Sequence, residues 1–444
     1  MMLFGYALAI ALGYLLIRCV RPAALSVPES LFLSPGLGLG AAGLIPFISV
    51  QVFGRVHAAF VWVAFLTLFV SAAVFATLSR KNTPQPDASS GQNRFYLALM
   101  GVLLLGGALF LLRAGAAPFG TGLDAWSIWR LKARVLFLDD HALTHFFAPS
   151  YGFAPRDYPL YYPLAIVWGW ICARDVTPLA PAVLMALFSF STCGLLFCAL
   201  RRVERLAAWA GAALLFSTPH FFGMAASQYA DTVLMYFNLA SLLLVHRALT
   251  SRDGRTALLA GLFLSAGAWV KNEGLLFLLA VTIGVVLARP QKRWWLHAVA
   301  GAAPFLAVIV YFKAWVPTPN DVVSAANLRA TLGSVPDLWQ RFLFVGDYLL
   351  KETFSENLWV YAWVFLLLAP VLYPRRALTQ GQAWVWVVFG VWFAGILGVY
   401  LIAWKDPTWK SWDRMLLHVF PAFTYAVLAF IVFPAKLGAI RTSK

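Results

Sequence analysis

Residues 256–289 read TALLAGLFLSAGAWVKNEGLLFLLAVTIGVVLAR. Two apolar runs, about 256–273 and 274–288, follow each other with almost no loop between them. Lys271 and Glu273 stand at the junction, and basic residues close the second run at Arg289, Lys292 and Arg293. Paired charges at membrane depth are costly and call for a polar pocket. The same pattern of apolar runs and short polar joints continues in both directions. Of 444 residues, 61% are hydrophobic and only 12% charged, against about 25% charged in a soluble domain. That surface excludes an ordinary soluble enzyme. A helix crossing hydrocarbon needs roughly 20 apolar residues, and the long runs supply them. Many of the 19 Trp lie near the ends of runs, as in interfacial belts.

The spacing predicts crossings at about 3–20, 35–54, 58–79, 95–113, 177–199, 207–224, 232–248, 256–273, 274–288, 294–316, 357–372, 383–403 and 415–434. The short run at 159–173, ending in Arg174-Asp175, is ambiguous between a re-entrant helix and a full span. Only Met1 and Met2 precede the first run, where a cleavable signal would carry a basic flank, so none is expected. Cys19, Cys172, Cys193 and Cys198 lie in or beside apolar runs and form no Cys-x-x-Cys pair. They read as packing residues, with no disulfide framework.

Basic residues mark alternate joints: Arg18 and Arg21; Arg80, Lys81 and Arg94; Arg201, Arg202 and Arg205; Arg247, Arg252 and Arg255; Arg289, Lys292 and Arg293; Arg375 and Arg376; Lys436, Arg441 and Lys444. The positive-inside rule makes this set cytoplasmic. The formal charge of +16 then reflects topology rather than nucleic-acid binding. If 159–173 does not cross, every basic cluster falls inside, with the N-terminus outside and the C-terminus inside. The outer face then receives the segments 114–176, 317–356 and 404–414. The expected organisation is a four-helix N-terminal extension (1–113), a transmembrane catalytic module (114–434) and a cytoplasmic tail (435–444). The fold class is an all-α polytopic membrane protein of about 13 transmembrane helices, with interfacial helices in the first large outer loop.

Several polar residues on the outer side need a chemical reason. Asp124 follows Gly120-Thr121-Gly122-Leu123, a turn or helix start. Beyond it, Trp126, Trp129 and Ala133 share one helical face and Arg130 and Arg134 another, as in a helix lying in the interface. Asp124 also suits a plain N-cap, a position that would itself fix the carboxylate. The segment 151–163 carries three prolines and four tyrosines around Arg156 and Asp157. Tyr158 and Tyr161 there suit either belt anchoring or sugar contact. His141 and His145, near Asp139 and Asp140, form only a loose set, and no metal site is expected. Asp231 has no compensating cation nearby in sequence, and a carboxylate at membrane depth usually lines a polar cavity. Lys405, Lys410 and Arg414 can face a phosphate, for which arginine offers a planar multi-donor grip. The chain lacks a Gly-x-x-x-x-Gly-Lys-Ser/Thr element, a dinucleotide fingerprint and a Gly-x-Ser-x-Gly turn. An activated donor at the outer face would therefore come from lipid.

Taken in order along residues 114–430, these pieces resemble the GT-C superfamily of integral-membrane glycosyltransferases. The resemblance is nearest to the branch of protein O-mannosyltransferases and lipid A aminoarabinose transferases. It rests on Asp124 in Thr121-Gly122-Leu123-Asp124-Ala125-Trp126, on Asp157-Tyr158-Pro159-Leu160-Tyr161-Tyr162-Pro163, and on Asp231 after a small-residue stretch. Lys271-Asn272-Glu273-Gly274 and Arg414 with Pro421 complete it. The chain departs from the pattern in having four runs before the acidic loop, a single Asp where a pair is usual, and no Asp-x-Asp element in the second outer loop.

The resemblance implies a polyprenyl-phosphate-linked sugar as donor and a glycan, lipid or protein as acceptor. The reaction would proceed with inversion at the outer face of a bacterial inner membrane, without a metal or other cofactor. It implies Asp124 as base on the acceptor hydroxyl or as the group that orients it; Lys271 and Arg414 at the donor phosphate, followed by Arg130, Arg156 and Lys405; Asp157, Tyr158, Tyr161 and Glu273 around sugar and acceptor; and Asp231 holding sugar hydroxyls or a cation side chain. The loop 317–356, with Asp321, Asn327, Arg329, Asp337 and Arg341, would cover the acceptor. The alternatives are a glycan ligase or polymerase, favoured by a wide cleft, and a lipid or solute transporter, favoured by inverted repeats and broken midplane helices.

Overall fold

The computed structural model describes residues 1–22, 25–78, 120, 122–145, 155–315, 329, 335–378, 382–403 and 411–434, and all regular structure among them is helical. Eight of these helices are long and apolar enough to cross a membrane, and shorter apolar helices complete the bundle. The expected crossing at 95–113, the segment 317–328, Lys405 with most of its loop, and the tail 435–444 lie outside the described residues.

The chain begins with α1 (Met2–Val20), α2 (Val27–Phe53) and α3 (Ala58–Leu78). Ser26 starts α2 through a reciprocal capping box with Glu29, which satisfies backbone donors at a helix end that lies close to other helices. α1 and α2 meet backbone to backbone. A methyl group on Gly38 would sit 1.8 Å from the Ala9 carbonyl oxygen, and one on Gly13 would sit 2.0 Å from that of Ser34. Small residues allow this approach where burial in lipid gives helices little other reason to associate. α1 and α2 are built into the rest of the bundle. Tyr236 donates to the Phe32 carbonyl, and Trp168 donates to that of Gly5.

The first loop carries a π-helical turn, Ala125–Arg130, continuing into α4 (Leu131–Leu138). The expected face does not form. Trp126 is 54% exposed, whereas Trp129, Ala133, Arg130 and Lys132 are buried. A π turn bonds five residues back instead of four, which rotates its residues away from ordinary helical spacing.

α5 (Tyr161–Ala173) is the ambiguous run, and it does not carry the chain across. Asp157, just before it, bonds Asn272, and Pro178, just after it, accepts from Arg130. Both flanks thus lie at the end of the bundle that holds the first loop. α6 (Leu179–Arg201) then runs to the opposite end, where Arg202 and Arg247 both pair with buried Glu29. Arg376 reaches the Ile431 carbonyl at that same end. The basic clusters at 201–205, 247–255 and 375–376 therefore share one end with Glu29.

The remaining helices of eight or more residues are α7 (Arg205–Ser217), α8 (Pro219–Ala226), α9 (Ala230–Ser251), α10 (Gly254–Ala268), α11 (Asn272–Ala288), α12 (Lys292–Trp315), α13 (Val335–Thr353), α14 (Ala362–Leu372), α15 (Ala383–Ala403) and α16 (Trp412–Val427). Pro219 interrupts what the sequence suggests is one run over 207–224, because proline cannot donate the helical bond. α9 and α16 are buried along most of their length. They touch through Asn238, which donates to the His418 carbonyl, and through His246 with Tyr425. α10 and α12 approach as closely as α1 and α2, since a methyl on Gly261 would lie 1.9 Å from the Ala298 carbonyl oxygen. All four cysteines are free.

Candidate active site

Four chain junctions converge at the end opposite Glu29: the π turn after Asp124, the start of α9, the turn between α10 and α11, and the start of α16. At their meeting point lies Asp231, in the first turn of α9 and 0% exposed. Its Oδ1 accepts from Lys271 Nζ at 3.0 Å, from His418 Nε2 at 2.8 Å and from Arg414 Nε at 3.2 Å. Its Oδ2 accepts from Arg414 Nη2 at 2.9 Å. A carboxylate offers about four acceptor positions, so Asp231 is saturated. The groups it holds here are Lys271, His418 and Arg414.

Arg414 spans the site. Its third hydrogen-bonding nitrogen, Nη1, pairs with Asp124 Oδ2 at 2.7 Å. Its guanidinium lies over the Tyr229 ring, 4.6 Å from the centroid. The Arg414 side chain is 18% exposed and that of Asp124 26%. Lys271 is only 1% exposed and sits between Asp231 and Glu273, the latter at 3.3 Å. Lys271 therefore supports the cluster from beneath. Burial of such ions is tolerable only because each is paired and hydrogen-bonded.

A second polar row adjoins the first. Asn272 donates to Asp157 Oδ2 at 2.8 Å and accepts from Lys313 at 2.8 Å; Lys313 also pairs with Asp157. Tyr158 stands between the rows. It stacks on Trp129 with centroids 5.6 Å apart, and Lys271 Nζ lies 5.9 Å from its ring centroid. Burial pushes its hydroxyl well above the ordinary tyrosine range, helped by the nearby Glu273 carboxylate, so it stays protonated. Lys132 donates to the carbonyls of Pro155 and Tyr158 and fixes this descending loop. Burial lowers the Lys132 ammonium to about 7, against the opposing pull of Asp157.

The other expected site residues fall elsewhere. Tyr161 is buried with its hydroxyl on the Gly36 carbonyl, 2.7 Å away, inside the bundle. It holds α2, because the helical start at Tyr161 turns its ring inward from the loop. Arg130 points to the α5–α6 connection, 3.5 Å from the Pro178 carbonyl, and lines a shallow groove with Trp126, Leu131 and Arg134. Arg156 lies half-buried in the loop ahead of α5. His145 and the His141 backbone N–H both bond Asp139, while Asp140 pairs with Arg55. Among the described residues no group of three or more side chains is arranged to hold a metal ion.

The sequence reading missed His418, Tyr229, Asn272, Lys132 and Lys313. His418 was the most legible of these. It follows Arg414 by four residues, hence on the same helical face, and an ionisable residue inside a membrane run needs a partner. Its Nδ1 has no hydrogen-bond partner among the described residues. His220, 3.4 Å from Asp413, closes the far side of the same mouth.

Residues 164–316 match the family model described as dolichyl-phosphate-mannose-protein mannosyltransferase. The matched segment contains Asp231, Lys271, Glu273 and Lys313 and ends before Arg414. The match supports a membrane glycosyltransferase of the GT-C superfamily. Neither the curated proteins nor the solved structures yield a match to this chain.

Proposed function

We propose that this multi-pass membrane glycosyltransferase takes its sugar from a polyprenyl-phosphate-linked donor and passes it, with inversion, to an acceptor at the outer face of a bacterial inner membrane. The observation that carries the reading is Arg414, held by buried Asp231 on one side and by partly exposed Asp124 on the other. It puts a preorganised cation and a carboxylate at one mouth, the two charges that such a displacement needs.

In the proposed step, the acceptor oxygen forms a bond to the anomeric carbon of the sugar. The bond from that carbon to the phosphate oxygen breaks, and its electron pair leaves with the polyprenyl phosphate. Asp124 takes the acceptor's proton; a base is effective only within hydrogen-bond reach of the proton it removes. Arg414 faces the leaving phosphate and Lys271 adds charge from beneath, so the field is in place before negative charge develops. Asp231 and His418 hold Arg414 in orientation. Tyr158, Asp157 and Glu273 line the side on which sugar or acceptor hydroxyls would lie, and the lipid tail would run between helices toward the membrane.

The test is transfer from a panel of radiolabelled polyprenyl-phosphate sugars in membranes carrying native acceptors, with the unaltered chain and Asp124→Asn at equal expression. Labelled product that disappears with Asp124→Asn is expected. A panel left wholly unconsumed would overturn the donor assignment, and turnover undiminished in Asp124→Asn would overturn the choice of base.

A further inference from the structure

All three guanidinium nitrogens of Arg414 are engaged. Nε and Nη2 form a fork on Asp231, and one face of the guanidinium is covered by Tyr229. The remaining nitrogen, Nη1, is taken by Asp124 at 2.7 Å. These bonds use three of the five guanidinium N–H donors; the edge that carries Nη1 is the one Asp124 engages, and the two carboxylates holding Arg414 differ in how firmly they are fixed. Asp231 is fully buried and anchored by Lys271 and His418. Asp124 stands at the beginning of the π turn, makes no capping hydrogen bond with its side chain, and is 26% exposed. Asp124 is the partner that can leave.

We infer that the edge of Arg414 held by Asp124 is the binding position of the donor phosphate, and that donor binding displaces Asp124 and frees it to serve as base. The inference rests on the reading that the donor is a lipid phosphate. Two anions cannot share one N–H edge without like-charge repulsion, so phosphate and carboxylate exclude each other there. While no donor is bound, the base is masked by its ion pair. Once the phosphate takes Nη1, Asp124 is left as an unpaired carboxylate beside the incoming hydroxyl, the state in which it accepts a proton. Donor thus binds before acceptor. After transfer, Asp124 passes the acceptor's proton to water, and the restored carboxylate competes with the polyprenyl phosphate for Arg414 and so assists product release.

The experiment is equilibrium binding of undecaprenyl phosphate and of undecaprenol to the purified full chain in nanodiscs, comparing the unaltered protein with Asp124→Asn. Removing the carboxylate charge removes a competitor for Arg414, so Asp124→Asn is expected to bind undecaprenyl phosphate about fivefold more tightly, the size of a partly exposed ion pair. Undecaprenol binding is expected to stay unchanged. Asp124→Ala serves the same comparison if the asparagine variant aggregates. Tightening confined to the phosphate form supports the inference. Equal or weaker phosphate binding in the variant, with the unaltered protein still preferring phosphate over alcohol, overturns the displacement and leaves the donor reading standing. No preference for phosphate in the unaltered protein overturns both.

Discussion

Replacing Asp231 by Asn tests whether the buried cluster is organised around that carboxylate. The Asp231 side chain is 0% exposed and receives four hydrogen bonds from Lys271, His418 and Arg414. Without its charge, Lys271 stays buried with Glu273 as its remaining ion partner among those in the structure, and Arg414 loses its fork. Removing one member of a buried ion pair costs about 3–5 kcal/mol. Lys271→Met should cost less, about 1–3 kcal/mol, because Asp231 keeps three of its four donors. The double variant should fall short of the sum by about 1–2 kcal/mol, since the two side chains share one network. The assay is thermal unfolding of all four proteins in one detergent, alongside transfer activity. Asp231→Asn should lower the midpoint by on the order of 5 °C or more. A shift within about 1 °C, or a larger loss from Lys271→Met than from Asp231→Asn, would refute the placement of Asp231 at the centre.

Three further outcomes are expected. His418→Gln keeps an N–H near Asp231, so it should retain most transfer activity, whereas His418→Leu should raise the donor KM about tenfold by loosening Arg414; equal effects of the two would remove His418 from the positioning role. Lys132 is held at about 7 in the folded chain, below its ordinary value of 10.5. Below pH 7 both folded and unfolded forms carry the proton. Between about 7 and 10.5 the unfolded chain binds more protons, so the loop at 155–160 should gain stability as pH rises, by up to about 1.4 kcal/mol per unit. Hydrogen exchange of that loop at pH 7 and pH 9.5, corrected for intrinsic rates, measures it, and Lys132→Met should abolish the trend. Gly38→Leu should prevent assembly of α1 against α2, since even a methyl there would fall 1.8 Å from a backbone oxygen; a folded monomer with an unchanged thermal midpoint would contradict that contact.

Much of the architecture is legible because hydrocarbon imposes a length and a polarity on each crossing. The reading in which α5 does not cross is preferred because only it keeps Arg80, Lys81 and Arg94 on the same side as Arg201, Arg202 and Arg205. The first large loop was less legible. Periodicity assumed an α-helix, and the π turn at Ala125–Arg130 moved Trp126 outward and buried Lys132. The direction of the Tyr161 ring was hidden for a similar reason, because composition places a tyrosine at the interface but does not say which way its ring turns.

By itself the sequence determined a multi-pass helical membrane chain, the end on which most of the basic residues lie, and the polar residues too expensive to leave at membrane depth without a partner: Asp231, Lys271, Glu273 and Arg414. It did not determine the pairing. Lys271 and Glu273 are two residues apart and looked like partners, yet the closest bond of Lys271 is to Asp231, 40 positions away. Arg414 bridges to Asp124 across 290 positions, and His418 reaches Asp231 across 187. Local spacing sets which residues share a helix face. Which faces meet is decided by packing, here by glycine contacts as close as those between α1 and α2 and between α10 and α12, so the charge network became visible only when the helices were assembled.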